Sequence, residues 1–389
     1  MNFYIFKKMD TILDSINNDL SYSCKICGRK SKYISDTLGV CLNCIRIHPD
    51  KTKKYILDAH KKSRKEFSLP DKPPGDKGGV KCGLCINNCK IKKGNKGYCG
   101  LRKNATGKLL YLKNNKKDRA VVDWYYDPLP TNCVADWICA GCSNSGYPHY
   151  SYNPCTEYGY KNLAVFFGAC SLDCLFCQNW HFREMAESLS PIKTIEELVN
   201  SVDYKTSCIC FFGGDPSVQI EFALAAAKKA IENKKNKFLR ICWETNGTMG
   251  RKHLKKAVEI SLISGGCIKF DLKAYDGNLF FALTGGSNNN TLNNFEIASD
   301  YIKKRKDPPL VVASTLLVPG YIDEKEIKKI ATSIYNCNPD IPYKLLGFHP
   351  QFYMSDFPPT SKKLALSCLE MAKNCGLKNV DIGNKHLLV

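Results

Sequence analysis

Residues 168–180 read Gly168-Ala-Cys170-Ser-Leu-Asp-Cys174-Leu-Phe-Cys177-Gln-Asn-Trp180. Three cysteines stand here in C-x3-C-x2-C spacing, and an aromatic residue precedes the last of them. Three thiolates can bind three irons of a four-iron cubane and leave the fourth iron open to another ligand. A structural zinc site would need a fourth ligand nearby, and no cysteine follows until Cys208 in the middle of a predicted strand. The spacing therefore predicts a cluster that can bind a substrate.

Short apolar runs alternate with helical patterns from Leu163 onward. The predicted strands are Leu163–Gly168, Cys208–Phe212, Phe238–Trp243, Cys267–Leu272, Leu310–Val318 and Tyr343–His349. The predicted helices are Thr194–Tyr204, Ser217–Asn233, Arg251–Ile263, Leu292–Lys306, Asp323–Tyr335 and Ser361–Cys375. Six strand–helix units with right-handed crossovers predict an α/β fold, a parallel sheet curled into an incomplete barrel. Functional groups should lie just past the carboxyl ends of its strands.

Further motifs stand where predicted strands end. They are Phe212-Gly213-Gly214-Asp215-Pro216, Trp243-Glu244-Thr245-Asn246-Gly247, Phe270-Asp271-Leu272-Lys273 and Gly347-Phe-His349-Pro. In the first motif, two glycines leave backbone groups open to a ligand, and the acid can accept a hydrogen bond from an ammonium group. Taken singly, the second and third motifs are equally compatible with a solvated loop, and a lone histidine before proline, as in the fourth, is more often structural.

Together these motifs resemble the radical S-adenosylmethionine (SAM) superfamily. They are most similar to its activating enzymes of glycyl-radical proteins, typified by pyruvate formate-lyase activating enzyme. The resemblance covers residues 161–389 and implies a partial (β/α)6 barrel in which Cys170, Cys174 and Cys177 hold a [4Fe–4S] cluster. It implies that one electron from the cluster cleaves SAM to methionine and a 5′-deoxyadenosyl radical. An external electron donor such as flavodoxin or ferredoxin is implied as well.

The resemblance also implies which residues surround SAM. These are Phe176, Gly213, Gly214, Asp215, Pro216, Glu244, Thr245, Asn246, Asp271, Lys273 and His349. Asp215 replaces the usual Glu and shortens the reach by one methylene group. Glu244, Thr245 and Asp271 are candidates for binding a monovalent cation beside SAM, although Glu244 stands where the branch often has Asp. No residue is assigned a catalytic role of its own.

Cysteines are concentrated in the first half of the chain, since 15 of the 22 lie between Cys24 and Cys177. At short spacings inside a reducing cell, cysteines are usually metal ligands. The first four form two CxxC pairs typical of a zinc ribbon, with a rubredoxin-like iron site as the alternative. They are Cys24, Cys27, Cys41 and Cys44.

Eight further cysteines precede the barrel in two sets. They are Cys82, Cys85, Cys89 and Cys99, followed by Cys133, Cys139, Cys142 and Cys155. Each set could hold one metal, or the eight could pair across the two segments. Spacing alone does not choose between structural zinc and one or two auxiliary iron–sulfur clusters.

The patterns divide the chain into four regions: a zinc-ribbon module over 1–60, a linker over 61–79, a cysteine-rich metal-binding region over 80–160 and the barrel over 161–389. The linker is marked by proline, glycine and charge. The segment from Cys82 to Cys99 is similar to the N-terminal part of activating-enzyme-related proteins. The zinc ribbon and the region from Asp123 to Cys155 are absent from a typical activating enzyme.

Composition limits the partners. The 389 residues carry 57 Lys+Arg and 37 Asp+Glu, a formal charge of +20, which four metal sites would reduce to about +13. No apolar run approaches the length of a membrane span, and no secretory signal is evident, so we expect a cytoplasmic protein without membrane contact. The resemblance implies a protein or peptide substrate. The zinc ribbon and the basic charge leave an RNA-modifying enzyme as one alternative, and a metal-loaded interaction module without catalysis is another.

Overall fold

The computed structural model describes residues 21–389 except 113–116, 132 and 234. The first twenty residues of the predicted ribbon module 1–60 lie outside this range. Three small antiparallel pairs precede the barrel. They are β1 (Tyr22–Ser23) with β2 (Lys30–Ser31), β3 (Val80–Lys81) with β4 (Lys90–Ile91), and β5 (Arg102–Asn104) with β6 (Leu109–Tyr111).

A nine-stranded sheet forms the centre of the molecule. Its strands are β7 (Arg119–Pro128), β8 (Lys161–Phe167), β9 (Ile192–Thr194), β10 (Thr206–Gly213), β11 (Arg240–Thr245), β12 (Ile268–Asp271), β13 (Val311–Leu317), β14 (Tyr343–Gly347) and β15 (Val380–Gly383). The spatial order is β15-β14-β13-β12-β11-β10-β8-β7-β9, and only β7 and β9 run antiparallel to their neighbours. The apolar runs of the parallel strands are explained by burial on both faces.

Helices pack on the sheet and on one another. They are α1 (Leu42–Ile47), α2 (Pro49–Lys65), α3 (Phe182–Ser188), α4 (Ile195–Asn200), α5 (Ile220–Glu232), α6 (Arg251–Ser264), α7 (Gly277–Thr284), α8 (Asn289–Ser299), α9 (Glu324–Cys337) and α10 (Lys362–Asn374). Local signals set several ends: the Asp323 side chain caps α9, and α6 stops at Gly265, which takes the left-handed conformation. Within residues 21–389, apart from the gaps given above, no helix combines the length and apolar character needed to cross a bilayer.

The predicted α/β barrel is confirmed, and all six predicted strands are present. The structure adds β15 as a seventh parallel strand and places β7 antiparallel beside β8. The helix predicted over Leu292–Lys306 begins earlier, at Asn289, and its last part is a separate 3-10 turn.

The segment before β8 closes the amino end of the barrel. Glu157 forms an ion pair of 2.6 Å with Arg240, the first residue of β11, and both side chains are buried. The Tyr152 hydroxyl donates to the carbonyl of Phe238, just before the same strand. The second set of predicted metal-binding cysteines is therefore built onto the barrel itself.

The N-terminal region also packs against the barrel. The segment 61–79, predicted as a linker, begins with the last turn of α2, and its residues Arg64, Phe67 and Leu69 are buried. An amphipathic helix that packs on a neighbour buries one face. The buried face of α2 contacts the loop after β8. The sequence predicted a linker and not this packing, because Asp173, which α2 contacts, lies more than a hundred residues further along the chain.

Candidate active site

A cavity of about 790 Å³ opens at the carboxyl ends of the parallel strands. Most residues predicted around the cluster and SAM line it: Cys170, Cys174, Phe176, Cys177, Gly213, Gly214, Asp215, Glu244, Thr245, Asn246, Asp271 and Lys273. Pro216 and His349 are not among the lining residues. The wall also contains residues that the sequence did not suggest, including Lys344, Asp381 and His386.

The two glycines at the end of β10 fasten the cysteine loop. A Cβ on Gly214 would lie 2.2 Å from the carbonyl oxygen of Ala169, the residue before Cys170. Gly213 has φ +105°, a conformation that favours glycine. The backbone N–H of Gly214 donates to Phe167, and that of Asp215 donates to Ala169, each at 2.8 Å. Close backbone approach therefore requires glycine here, in addition to any role toward a ligand.

Asp173, inside the cysteine motif, is the centre of a buried polar network. Its Oδ2 lies 2.9 Å from Nδ1 of His60 and accepts from the Ser63 hydroxyl, both on α2. Its Oδ1 accepts from Arg183 at 2.8 Å. Burial alone would raise the pKa of Asp173, but the His60 hydrogen bond and the Arg183 charge hold it well below its usual range. The network fixes the middle of the cysteine loop.

Arg183 has unused hydrogen-bonding capacity next to that loop. Its side chain is fully buried, and its Nε and Nη1 have no hydrogen-bond partner in the described part of the chain. Burial would lower the pKa of Arg183, but the charges of Asp173, Cys177 and Cys174 raise it. A buried cation with free N–H groups beside thiolates suits a negatively charged cluster, which three thiolates create.

Asp215 and Asn246 join the ends of β10 and β11 to the cysteine loop. The Asp215 carboxylate accepts from the backbone N–H of Asn246 at 2.6 Å, from the Thr245 hydroxyl at 3.0 Å and from the N–H of Ser217. Burial raises the pKa of Asp215 despite these hydrogen bonds. The Asn246 side-chain amide lies 3.5 Å from the sulfur of Cys170. Asp215 therefore already has three donors before any ammonium group arrives.

The acids predicted to bind a monovalent cation already have lysine partners. Asp271 pairs with Lys273, and Glu244 lies 3.1 Å from the ammonium of Lys269. Burial would lower the pKa of Lys273, but Asp271 and then Cys174 raise it. A cation would have to displace these ammonium groups, so the geometry disfavours it.

His349 lies outside the cavity wall. Its Nδ1 is 3.1 Å from the carbonyl oxygen of the next residue, Pro350, and the ring is half-buried. The structure therefore gives no support to the predicted SAM contact. His386, near the C-terminus, lines the cavity instead. No sequence motif marks it.

The zinc-ribbon cysteines form a compact group. The four sulfurs of Cys24, Cys27, Cys41 and Cys44 all lie within 4.8 Å of one another, which one metal ion can bridge. Burial would raise the pKa of Cys24, but backbone hydrogen bonds beginning with that from Cys27 lower it to about 6. In the described residues no other three His, Cys, Asp or Glu side chains come together this tightly.

The next set of cysteines is gathered more loosely. Cys82, Cys85, Cys89 and Cys99 all line one small cavity, together with the guanidinium-bearing Arg102. Burial raises the pKa of Cys89 to about 11. The four residues are neighbours, as predicted, and whether they bind a metal stays a prediction.

The last predicted set is not a set of four. Cys155 is exposed, and its sulfur faces the carbonyl of Thr156 at 3.7 Å. Cys133, Cys139 and Cys142 instead line a second interior cavity with cysteines of the barrel strands. The sequence grouped these three with Cys155 as one possible metal site and left out the strand cysteines, because those are scattered along the sequence.

Comparison with known proteins finds similarity to one superfamily over part of the chain. The Radical SAM superfamily matches residues 164–334, the part that carries the cysteine loop and the strand ends. "Uncharacterized protein MJ0808" of Methanocaldococcus jannaschii is 26% identical over 316 residues, which cover 78% of this chain and 81% of that protein. "Putative glycyl-radical enzyme activating enzyme MJ1632" of the same organism is 30% identical over 187 residues.

The chain spans 64% of MJ1632, and that match covers 46% of this chain. A solved domain of pyruvate-formate lyase-activating enzyme from Bacteroides vulgatus is 19% identical, with a TM-score of 0.35, and the match covers 45% of this chain and 98% of that one. The three cysteines at the end of β8 lie within the residues that match the Radical SAM superfamily.

Proposed function

We propose that this chain cleaves SAM reductively at a [4Fe–4S] cluster held by Cys170, Cys174 and Cys177. The observation that carries the proposal is the three thiols of one loop on the wall of a 790 Å³ cavity. One other described cysteine, Cys133, lines this cavity, and its sulfur lies 3.0 Å from the Lys269 ammonium. The loop itself therefore offers three ligands and leaves one iron for SAM.

When bound, the cluster supplies the electron that splits a carbon–sulfur bond of SAM and yields a 5′-deoxyadenosyl radical. The chain's own residues would position the cluster and neutralise its negative charge. Asn246 approaches the sulfur of Cys170, while Arg183 and Lys273 bring positive charge to the thiolates. These fixed charges offset the charge of a negative cluster.

We propose a protein or peptide as the substrate from which hydrogen is abstracted. Support comes from MJ1632, a relative named as a putative glycyl-radical enzyme activating enzyme, which is 30% identical over 187 residues. The electron would come from an external carrier such as flavodoxin or ferredoxin. We propose an anaerobic, cytoplasmic setting, which the 22 unpaired cysteines support because unpaired cysteines are typical of a reducing compartment. The four ribbon sulfurs, within 4.8 Å of one another, support a structural zinc in the ribbon.

The test is anaerobic reconstitution followed by iron and sulfide counts and a 5′-deoxyadenosine assay with SAM and dithionite. The unmodified chain should release 5′-deoxyadenosine, and Cys174→Ala should release none. Cys337→Ala, at the end of α9, is the matched control and should match the unmodified chain. A chain that carries its full cluster and yields no 5′-deoxyadenosine would refute the proposal.

RNA modification is the second candidate, favoured by the formal charge of +20. Contacts to phosphates release counterions, so binding of RNA would weaken steeply with salt. If RNA is the substrate, the purified chain should retain RNA at low salt and lose most of it between 50 and 200 mM, roughly a 10³-fold change in affinity for six phosphate contacts. Retention that does not depend on salt, or none, favours the protein substrate.

A further inference from the structure

A second cavity inside the barrel is lined by seven cysteines. They are Cys133, Cys139, Cys142, Cys208, Cys210, Cys242 and Cys267. Four of them come from the strands or strand starts of the barrel, and three come from the segment that closes its amino end. The cavity measures about 30 Å³. Free cysteine often serves as a small apolar core residue, but that role does not explain seven around one space.

Strand register places three of these cysteines in a row. Cys210 on β10 is paired in register with Cys242 on β11. The next strand, β12, starts at Ile268, which pairs with Trp243, so Cys267 lies beside Cys242. The sulfurs of Cys242 and Cys267 are 3.9 Å apart. Cys208 precedes Cys210 by two residues and therefore shares its face of the strand.

The closing segment brings its cysteines to the same space. Cys139 and Cys142 lie in one turn, in which the backbone N–H of Cys142 donates to the carbonyl of Cys139 at 3.2 Å. The segment is held by the buried ion pair of Glu157 with Arg240, and Arg240 also lines the cavity. The strand cysteines thus face a fixed group of thiols.

Positive charge is built in beside the sulfurs. The ammonium of Lys269 lies 3.0 Å from the sulfur of Cys133 and 3.1 Å from that of Cys210, and its side chain is 1% exposed. Among the residues that the structure describes, its carboxylate partner is Glu244, at 3.1 Å. A buried ammonium that points two hydrogen bonds at sulfur is suited to anionic thiolates.

The spacing favours a cluster over a single ion. In the ribbon, four sulfurs lie within 4.8 Å of one another, whereas among the described residues no three of the seven interior sulfurs do so. A tetrahedral zinc with bonds of about 2.3 Å needs the tighter arrangement. Two or four irons with bridging sulfides span a wider gap between their cysteines.

We propose that an iron–sulfur cluster binds in this interior cavity, held by Cys210, Cys242 and Cys267 together with a cysteine of the 133–142 segment. Cys133 and Lys269 line both this cavity and the active-site cavity, so the cluster would lie directly beneath the SAM site. The proposed cluster does not depend on the identity of the substrate. It is distinct from the cluster proposed at Cys170, Cys174 and Cys177.

The test counts metal in a chain that lacks the other predicted iron sites. In the variant C170A/C174A/C177A/C82A/C85A, prepared anaerobically, about two to four irons with equal sulfide should remain per chain. A single zinc in the ribbon should accompany them. Absence of iron from this variant, or zinc in place of iron beyond the ribbon ion, would overturn the proposal. This arm leaves the interior site intact and does not depend on SAM cleavage.

The second arm assigns the ligands. Adding Cys210→Ala and Cys242→Ala to that variant should remove the remaining iron and sulfide. Adding Cys337→Ala and Cys375→Ala, which lie outside the cavity, should keep both. If the first pair keeps its iron, the assignment is refuted. If circular dichroism shows that the variant with Cys210→Ala and Cys242→Ala does not fold, the test rests on the five-substitution variant. Its iron count and its electron paramagnetic resonance signal then decide whether a cluster is bound.

Discussion

The Asp173 carboxylate connects the cysteine loop to α2 and to Arg183. Removing one partner of a buried ion pair leaves the other charges uncompensated and costs about 3–5 kcal/mol. We therefore expect Asp173→Asn to lower the free energy of unfolding by about that amount, measured by denaturant titration. Asp71→Asn, at an exposed position, is the control. A loss below about 1 kcal/mol would show that the network does not hold the loop.

The same carboxylate predicts a pH dependence. Its pKa is lowered in the folded chain, so its charge stabilises the fold above the unfolded value of about 3.9. The contribution decreases as the pH falls below about 4, by up to 1.4 kcal/mol per pH unit. The stability difference between the unmodified chain and Asp173→Asn should be constant from about pH 5 to 7 and shrink below about pH 4. A difference that grows in acid would contradict this assignment.

Gly214 offers a second test at the scale of one residue. A Cβ there would lie 2.2 Å from the Ala169 carbonyl oxygen, so Gly214→Ala must displace the turn before Cys170. We expect the variant to lose most of the iron at the catalytic loop and about 2 kcal/mol or more of stability. Gly75→Ala is matched, because nothing lies within 4 Å of its Cβ and its φ is ordinary. Equal iron content in the two variants would refute the prediction.

At the scale of elements, the ribbon docks on the loop between β13 and α9. Arg46 of α1 forms ion pairs of 2.8 Å with Asp323 and with Glu326. The Tyr321 hydroxyl donates to the carbonyl of Val40 and accepts from the N–H of Ser35. The ribbon is thus fixed to the barrel by groups at the start of α9.

Removal of the zinc proposed for the ribbon should therefore lower the stability of the barrel as well. A chelator, or the pair Cys41→Ser and Cys44→Ser, should release one zinc per chain and lower the melting temperature by about 5 °C or more. Zinc release can be followed with a chromogenic chelator during thermal unfolding. The exposed pair Lys53→Ala and Lys54→Ala serves as the control. An unchanged melting temperature after zinc loss would mean that the ribbon contributes little to the fold.

Local sequence patterns predicted the longer elements and missed the short ones. The strand β10 and the helix α9 are long periodic segments with clear ends, and both appear close to their predicted bounds. β15 has four residues and α7 has eight, so neither shows enough periods to distinguish it from a loop. Their positions are decided by packing on neighbours, which a short sequence window does not contain.

At the scale of the whole molecule, the same limit applies to the sites. Cys170, Cys174 and Cys177 could be predicted because one loop supplies all three. The interior group could not, since Cys133 and Cys267 are separated by more than a hundred residues and meet only through the barrel. Asp173 lies inside the recognised motif, yet its role depends on His60 of a distant helix. A site whose residues lie in one loop can be predicted from the sequence, whereas contacts between distant elements become evident only when the fold is known.

That long-range contact yields the last prediction, because α2 joins the N-terminal module to the cysteine loop. His60 and Ser63 are buried on α2 and both reach Asp173, whereas Asp58 and Lys61 of the same helix are exposed. His60→Ala with Ser63→Ala should leave Asp173 held by arginines alone and loosen the cysteine loop. We expect such a chain to keep its ribbon zinc but to retain less than about half of its catalytic iron under oxygen challenge, with a parallel loss of 5′-deoxyadenosine formation. The matched pair Asp58→Ala with Lys61→Ala should behave as the unmodified chain, and equal iron retention in both pairs would show that the N-terminal module does not support the catalytic site.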